Sequence, residues 1–133
     1  MILVDTSVWI DYLNGIESTH TDILDTALID GTVALGDLIF LEILQGIKND
    51  KDYKKVKSKL ATLDQYTLFD SDVVFECAEN YRALRKKGIT IRKTADVIIA
   101  TYCIKHKLPL LFMDRDFNPF VNHLGLISAY NKT

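Results

Sequence analysis

Ile2, Leu3 and Val4 form a short apolar run that stops at Asp5, Thr6 and Ser7, after which apolar positions return at helical spacing as Val8, Trp9, Ile10 and Leu13. An unbroken apolar run suits a strand buried on both faces, as at the centre of a parallel sheet, and the polar triplet suits a helix start. Asn14 and Gly15 stop that helix. A second helix is predicted over 21–29, with Ile23, Leu24, Ala27 and Leu28 inward and Gly31 closing it. Val33 to Leu35 reads as a brief strand. Asp37 then caps the very apolar stretch LIFLEILQGI.

The second half repeats the alternation. Residues 49–63 read as a helix whose stripe is Tyr53, Val56 and Leu60, with lysines around it, and 66–69 as a strand. From Asp70 or Ser71 a long amphipathic helix carries Val73, Val74, Cys77, Tyr81 and Leu84, ending at Arg85, Lys86 and Lys87 before Gly88. A connector over 89–93 leads into the helix TADVIIATYCIKHK. Leu110 to Met113 reads as another buried strand, ending at Asp114, Arg115 and Asp116. A turn or short helix over 117–120 and an edge strand over 124–128 complete the chain. Strands alternating with helices point to an α/β fold.

Composition narrows the class. Apolar residues make up 48% and charged residues 26% of the 133 positions, ordinary globular usage, with no apolar run of the roughly 20 residues a bilayer requires. Nothing resembles a secretory signal. Cys77 and Cys103 show no metal-binding spacing and read as small core hydrophobes in a reducing cytosol, so the expected location is cytoplasmic. The net charge of −2 hides an asymmetry: residues 1–47 hold eight carboxylates and no Lys or Arg, and every basic side chain except Lys132 lies between Lys48 and Arg115. An electropositive face beside an acidic centre is expected.

Four acids stand out by position. Asp5 and Asp114 end apolar strands, where open parallel sheets bind ligands, although Asp5 could equally be a helix cap. Glu42 interrupts an apolar helix, and an unpaired buried carboxylate is costly enough that it must reach a wet edge or a cation. Asp96 lies in a helix's first turn, which the helix dipole alone would favour. Converging carboxylates repel, and a hard divalent cation relieves them. His20, His106 and His123 are scattered, so oxygen ligation by Mg²⁺ or Mn²⁺ is expected rather than zinc.

The motifs VDTSVWID, FLEILQG, TADVIIATYCI and LLFMDRDF, in this order over nearly the whole chain, resemble the PIN-domain ribonucleases, in particular the VapC-type toxins of toxin–antitoxin pairs. That resemblance implies a single PIN-like domain over 1–133, with a central parallel sheet of about five strands and helices on both faces. It implies that Asp5, Glu42, Asp96 and Asp114 are catalytic and hold metal, that Asp116 adds a metal ligand, and that Thr6 and Ser7 support the site. Phe112 and Met113 stand where relatives often carry polar residues. The activity implied is metal-dependent endoribonuclease cleavage leaving a 5′-phosphate and a 3′-hydroxyl, and the partners implied are RNA, a VapB-like antitoxin and a second copy in a homodimer.

With the five acids neutralised, the formal −2 becomes +3, a mildly positive surface for RNA, and Arg82, Arg85, Lys86, Arg92 and Lys93 are the expected phosphate contacts. A haloacid-dehalogenase-like phosphatase would need a second Asp where Ser7 stands. A receiver domain would need paired acids near the end of the first strand. The rival of another kind is a non-catalytic PIN-like interaction module whose acids bind a structural cation.

Overall fold

In the computed structural model, residues 1–130 are described. The elements run β1 (Ile2–Val4), α1 (Thr6–Leu13), α2 (Thr19–Asp30), β2 (Val33–Gly36), α3 (Asp37–Gln45), α4 (Asp50–Leu60), β3 (Asp64–Tyr66), α5 (Val73–Lys86), α6 (Thr94–His106), β4 (Leu110–Leu111) and α7 (Asn118–Leu124). The strands form one parallel sheet in the order β3-β2-β1-β4. Successive strand side chains point to opposite faces, and every residue of β1, β2 and β4 is buried, so helices cover both faces of the sheet's centre. No helix among the described residues is long and apolar enough to cross a membrane.

The strand order positions the site. From β1 the chain steps outward to β2 and β3, then returns to the other side of β1 as β4. The order therefore reverses between β1 and β4, and the crevice outside the carboxyl ends at such a point is where open α/β sheets bind ligands. The β1–β4 ladder runs right up to it: Leu3 N–H donates to the Pro109 carbonyl and Asp5 N–H to the Leu111 carbonyl, both at 2.9 Å.

Several boundaries differ from expectation, each for a local reason. The strand expected over 66–69 forms earlier, as Asp64–Tyr66, because the Leu68 N–H leaves the ladder to donate to Asp37 Oδ1 at 3.0 Å. Asp37 is accordingly not the cap of α3. The cap position belongs to Gly36, and the Asp37 carboxylate instead binds the N–H groups of Leu38 and Leu68. Gly36 is required there, since a Cβ would collide with the Leu68 side chain. The strand expected over 110–113 keeps only Leu110 and Leu111. That expected over 124–128 shrinks to a Leu110–Ser128 bridge, because α7 runs through Leu124 and ends on Gly125 at φ 83°.

The core is contiguous across sheet and helices. Leu3, Leu35, Ile39, Leu84, Ile99, Leu110, Phe117 and Phe120 are fully buried. Cys77 and Cys103 are buried free thiols, as expected of core residues, and burial pushes both upward in pKa. The packing of α5 on α6 includes a polar latch, Asn80 Nδ2 donating to the buried Thr101 Oγ1 at 3.0 Å, and an ion pair at its edge, Lys105 Nζ 3.1 Å from Glu76 Oε1. A buried hydroxyl would be costly unpaired.

Candidate active site

Asp5 is buried directly after β1 and takes the N-cap position of α1, yet its side chain makes no capping bond. One oxygen, Oδ2, accepts the Ser7 hydroxyl at 2.9 Å. Burial pushes the Asp5 carboxyl above its ordinary pKa, against the pull of the Ser7 hydroxyl, and the Glu42 charge pushes it further. The backbone amides of Thr6 and Ser7 also favour the ionised carboxylate, and burial still outweighs them, so Asp5 is a carboxylate held in a crevice at a net cost.

Glu42 lies on α3, half-buried, and its Oε1 accepts the Thr6 hydroxyl at 2.8 Å. That bond crosses from the first turn of α1 to the middle of α3, fixing the Glu42 rotamer toward Asp5 rather than toward open water. Both expected supporting hydroxyls are thus engaged with acids, Thr6 with Glu42 and Ser7 with Asp5.

Asp96 is the most perturbed of these acids. It sits in the first turn of α6, a helix in which Asp96, Val97, Ile98, Ile99, Ala100, Thr101 and Cys103 are all buried. Its carboxyl is pushed up to about 7, first by burial and then by the charge of Asp5, with Lys93 opposing and Asp114 and Glu42 adding to the rise. One of its oxygens, Oδ2, is buried with no hydrogen-bond partner among the described residues. A favourable helix dipole explains an acid at this position but not an acid left without a partner.

Asp114 follows β4 and caps a 3₁₀ turn, Arg115–Phe117, with Oδ1 accepting the Asp116 N–H at 2.9 Å. This turn folds Asp116 back beside Asp114. Asp96, Asp114 and Asp116 each offer an oxygen, and the three lie within 4.8 Å of one another. Asp5 and Glu42 face this trio closely enough for their charges to raise Asp96. Asp96, Asp114 and Asp116 therefore form one cluster, and Asp5 and Glu42 lie outside that trio but near enough to act on Asp96 through their charge.

The basic residues divide. Arg92 Nη2 lies 3.2 Å from Asp116 Oδ2, and Lys93 Nζ lies 3.9 Å from Asp114 Oδ2, so these two guard the mouth of the acid site. Arg82, Arg85 and Lys86 are exposed on α5 and pair with none of the acids among the described residues. Arg85 lies over the Tyr81 ring, 5.6 Å from its centroid. The pairing of Arg92 and Lys93 with acids was not foreseen, although their place just before α6 was the available signal.

The donor set fits a hard divalent cation. It is made of carboxylate oxygens alone, three of them within reach of one point, and includes a buried oxygen that nothing else satisfies. Away from the acids, an apolar groove of about 540 Å³ opens between α1, α3 and α4, lined by Ile10, Leu13, Ile43 and Val56 and edged by Lys55 and Lys59.

Comparison with known proteins bears on the family and the fold. The chain is 29% identical over 131 residues to VapC ribonuclease Mb1587 of Mycobacterium bovis and to Ribonuclease VapC11 of Mycobacterium tuberculosis, covering 97% of this chain and 98% of each relative. Its fold is similar to that in the structure of VapBC2 from Rickettsia felis bound to a promoter DNA fragment, with a TM-score of 0.75 at 20% identity, covering 96% of this chain and 97% of that one. It is also similar to that of FitAcB from Neisseria gonorrhoeae, with a TM-score of 0.72 at 20% identity and 98% of both chains covered. The PIN domain profile matches residues 2–120, and the chain belongs to the PIN domain family.

Proposed function

We propose that the chain is a divalent-cation-dependent endoribonuclease and serves as the toxin of a toxin–antitoxin pair. The observation that carries the reading is Asp96, buried under the charges of Asp5, Asp114 and Glu42 with an oxygen left unsatisfied. Full-length similarity to proteins named VapC ribonucleases supports the substrate class.

Asp96, Asp114 and Asp116 would hold Mg²⁺ or Mn²⁺, with Asp5 and Glu42 completing the acid set, and a cation held there would supply a more acidic water and charge stabilisation for phosphoryl oxygens. The protein's own part is positioning. Thr6 holds Glu42 and Ser7 holds Asp5, so neither acid must be ordered when substrate arrives. The buried wall of β1, β4 and α6 lowers the local dielectric, which strengthens every charge interaction in the crevice. Arg92 and Lys93 stand at the mouth with exposed side chains, and these we assign to the RNA phosphates, with Arg82, Arg85 and Lys86 extending the track along α5.

The inhibitor is a VapB-like antitoxin, in keeping with the VapBC complexes among the similar structures. Its apolar segment would lie in the groove lined by Ile10, Leu13, Ile43 and Val56. The homodimer would cover exposed apolar residues in and just before the first turn of α5, where Phe69 is 45% and Phe75 is 74% exposed.

The test is cleavage of cellular RNA by the purified chain with and without Mg²⁺ or Mn²⁺, beside Asp5→Asn and Asp96→Asn. Metal-dependent cutting lost in both folded variants is the expected result. A chain that binds the cation but cuts no RNA under any condition would leave the non-catalytic module standing.

A further inference from the structure

A second pocket, polar and of about 420 Å³, is lined by His20, Phe112, Met113, Asn118, Asn122 and Tyr130, among others. Its volume falls in the range of about 300–1,000 Å³ typical of small-molecule pockets. One wall is aromatic. The His20 ring, in the first turn of α2, stacks on Tyr130 with centroids 4.6 Å apart and planes at 23°. Tyr130 is 43% exposed, so its ring keeps open surface for another flat group.

The other walls supply the complementary chemistry. Phe112 is buried and Met113 half-buried, an apolar floor. Asn118 and Asn122, four residues apart on α7, share one face of the helix and present exposed amides, each with donors and an acceptor. A flat stacking face, an apolar floor and an amide edge together match a single unstacked nucleobase, whose ring stacks and whose edge reads as donors and acceptors.

The pocket's position joins it to the chemistry. Met113 immediately precedes Asp114, and Asn118 follows Asp116 by two residues, so one short stretch of chain lines both the pocket and the acid trio. An RNA strand whose phosphate lies at the acids would pass a neighbouring base over this pocket. We propose that it is a nucleobase subsite, holding one unstacked base of single-stranded RNA beside the bond to be cut and so setting base preference. This rests on the ribonuclease reading of the acids.

The test measures binding of labelled single-stranded homo-oligoribonucleotides of A, C, G and U in Mg²⁺ by fluorescence anisotropy, with Asp5→Asn as the parent to prevent cutting. The parent should prefer one base class. Tyr130→Ala should weaken that binding about five-fold or more, Tyr130→Phe should retain it, and Asn122→Ala should level the preference among the four. Tyr130 and Asn122 are exposed, and circular dichroism would confirm that each variant is folded. If Tyr130→Ala and Asn122→Ala bind all four oligomers as the parent does, while the same changes in the wild-type chain leave RNA cleavage intact, the subsite is wrong and the nuclease reading survives. If the parent binds none of the four and the wild-type chain cuts no RNA, both fall together.

Discussion

Two helices of similar length, α4 and α6, show how differently this chain spends its charges. In α4 only Leu60 is fully buried, and Lys51, Lys54, Lys55, Lys57 and Lys59 stand in water. Each is dispensable to the fold, since an exposed charge contributes little. In α6 seven residues are buried, and its one acid is among them. An isolated carboxylate in such a helix costs free energy, and here three further acids, Asp5, Asp114 and Glu42, add to that cost through their charge. Charge on α4 therefore serves solubility and encounter, while charge on α6 is retained against stability. A group held at such a cost is a candidate for a site.

The sharpest break of that contrast is in packing. Ile99→Ala, at a fully buried position of α6, should cost about 2–5 kcal/mol in denaturant unfolding. Lys55→Ala on α4 should stay within about 0.5 kcal/mol, and a comparable loss at both would show that α4 is not the peripheral helix described. Next comes chemistry. Asp96→Asn should lower RNA cleavage by roughly 100-fold or more, the loss of several kcal/mol of charge stabilisation, while the cation-free variant unfolds at a higher temperature than wild type. Cleavage near the wild-type rate would remove Asp96 from the site.

The pH dependence has a definite sign. The folded Asp96 carboxyl is raised from 3.8 to about 7, so the folded chain binds this proton more tightly than the unfolded one. Stability of the cation-free protein should then fall as pH climbs from about 4 to about 7 and level off above that. Thermal unfolding across this range, repeated with Asp96→Asn, should show the slope diminished in the variant. Saturating Mg²⁺ should flatten it too, because the cation favours the ionised form.

Smaller effects concern the supporting hydroxyls. Thr6→Val removes the 2.8 Å bond to Glu42 and should weaken Mn²⁺ binding about 10-fold by calorimetry, as loss of an outer-shell partner does. Smallest of all, Lys55→Ala with Lys59→Ala at the groove edge should slow antitoxin association without moving the unfolding temperature. An unchanged association rate in low salt would take the partner off that groove.

Much of this was legible in the order of residues. The apolar run before Asp5, the single Glu42 inside an apolar helix, and Asp96 at the start of α6 are departures from local pattern, and departures of that kind mark sites because nothing local compensates them. Element existence followed from periodicity where one face stays exposed, as in α5, whereas α6 is buried at six consecutive positions. Boundaries followed less well, because they turn on long-range bonds: Leu68 leaves its strand for Asp37, 31 residues away, and α7 overruns the expected last strand as far as Gly125.

What the sequence by itself determined is the set of acids, the buried strands that carry two of them, and the segregation of basic residues into the second half. Local pattern suffices for these, since burial and period act on neighbours. Only the tertiary structure decided that Asp96, Asp114 and Asp116 cluster at the reversal of strand order, and that Arg92 and Lys93 lean on Asp116 and Asp114. Only there does His20 meet Tyr130 across 110 residues. No periodicity encodes such a contact, because it forms only when packing of the whole core brings distant segments to one edge of the sheet.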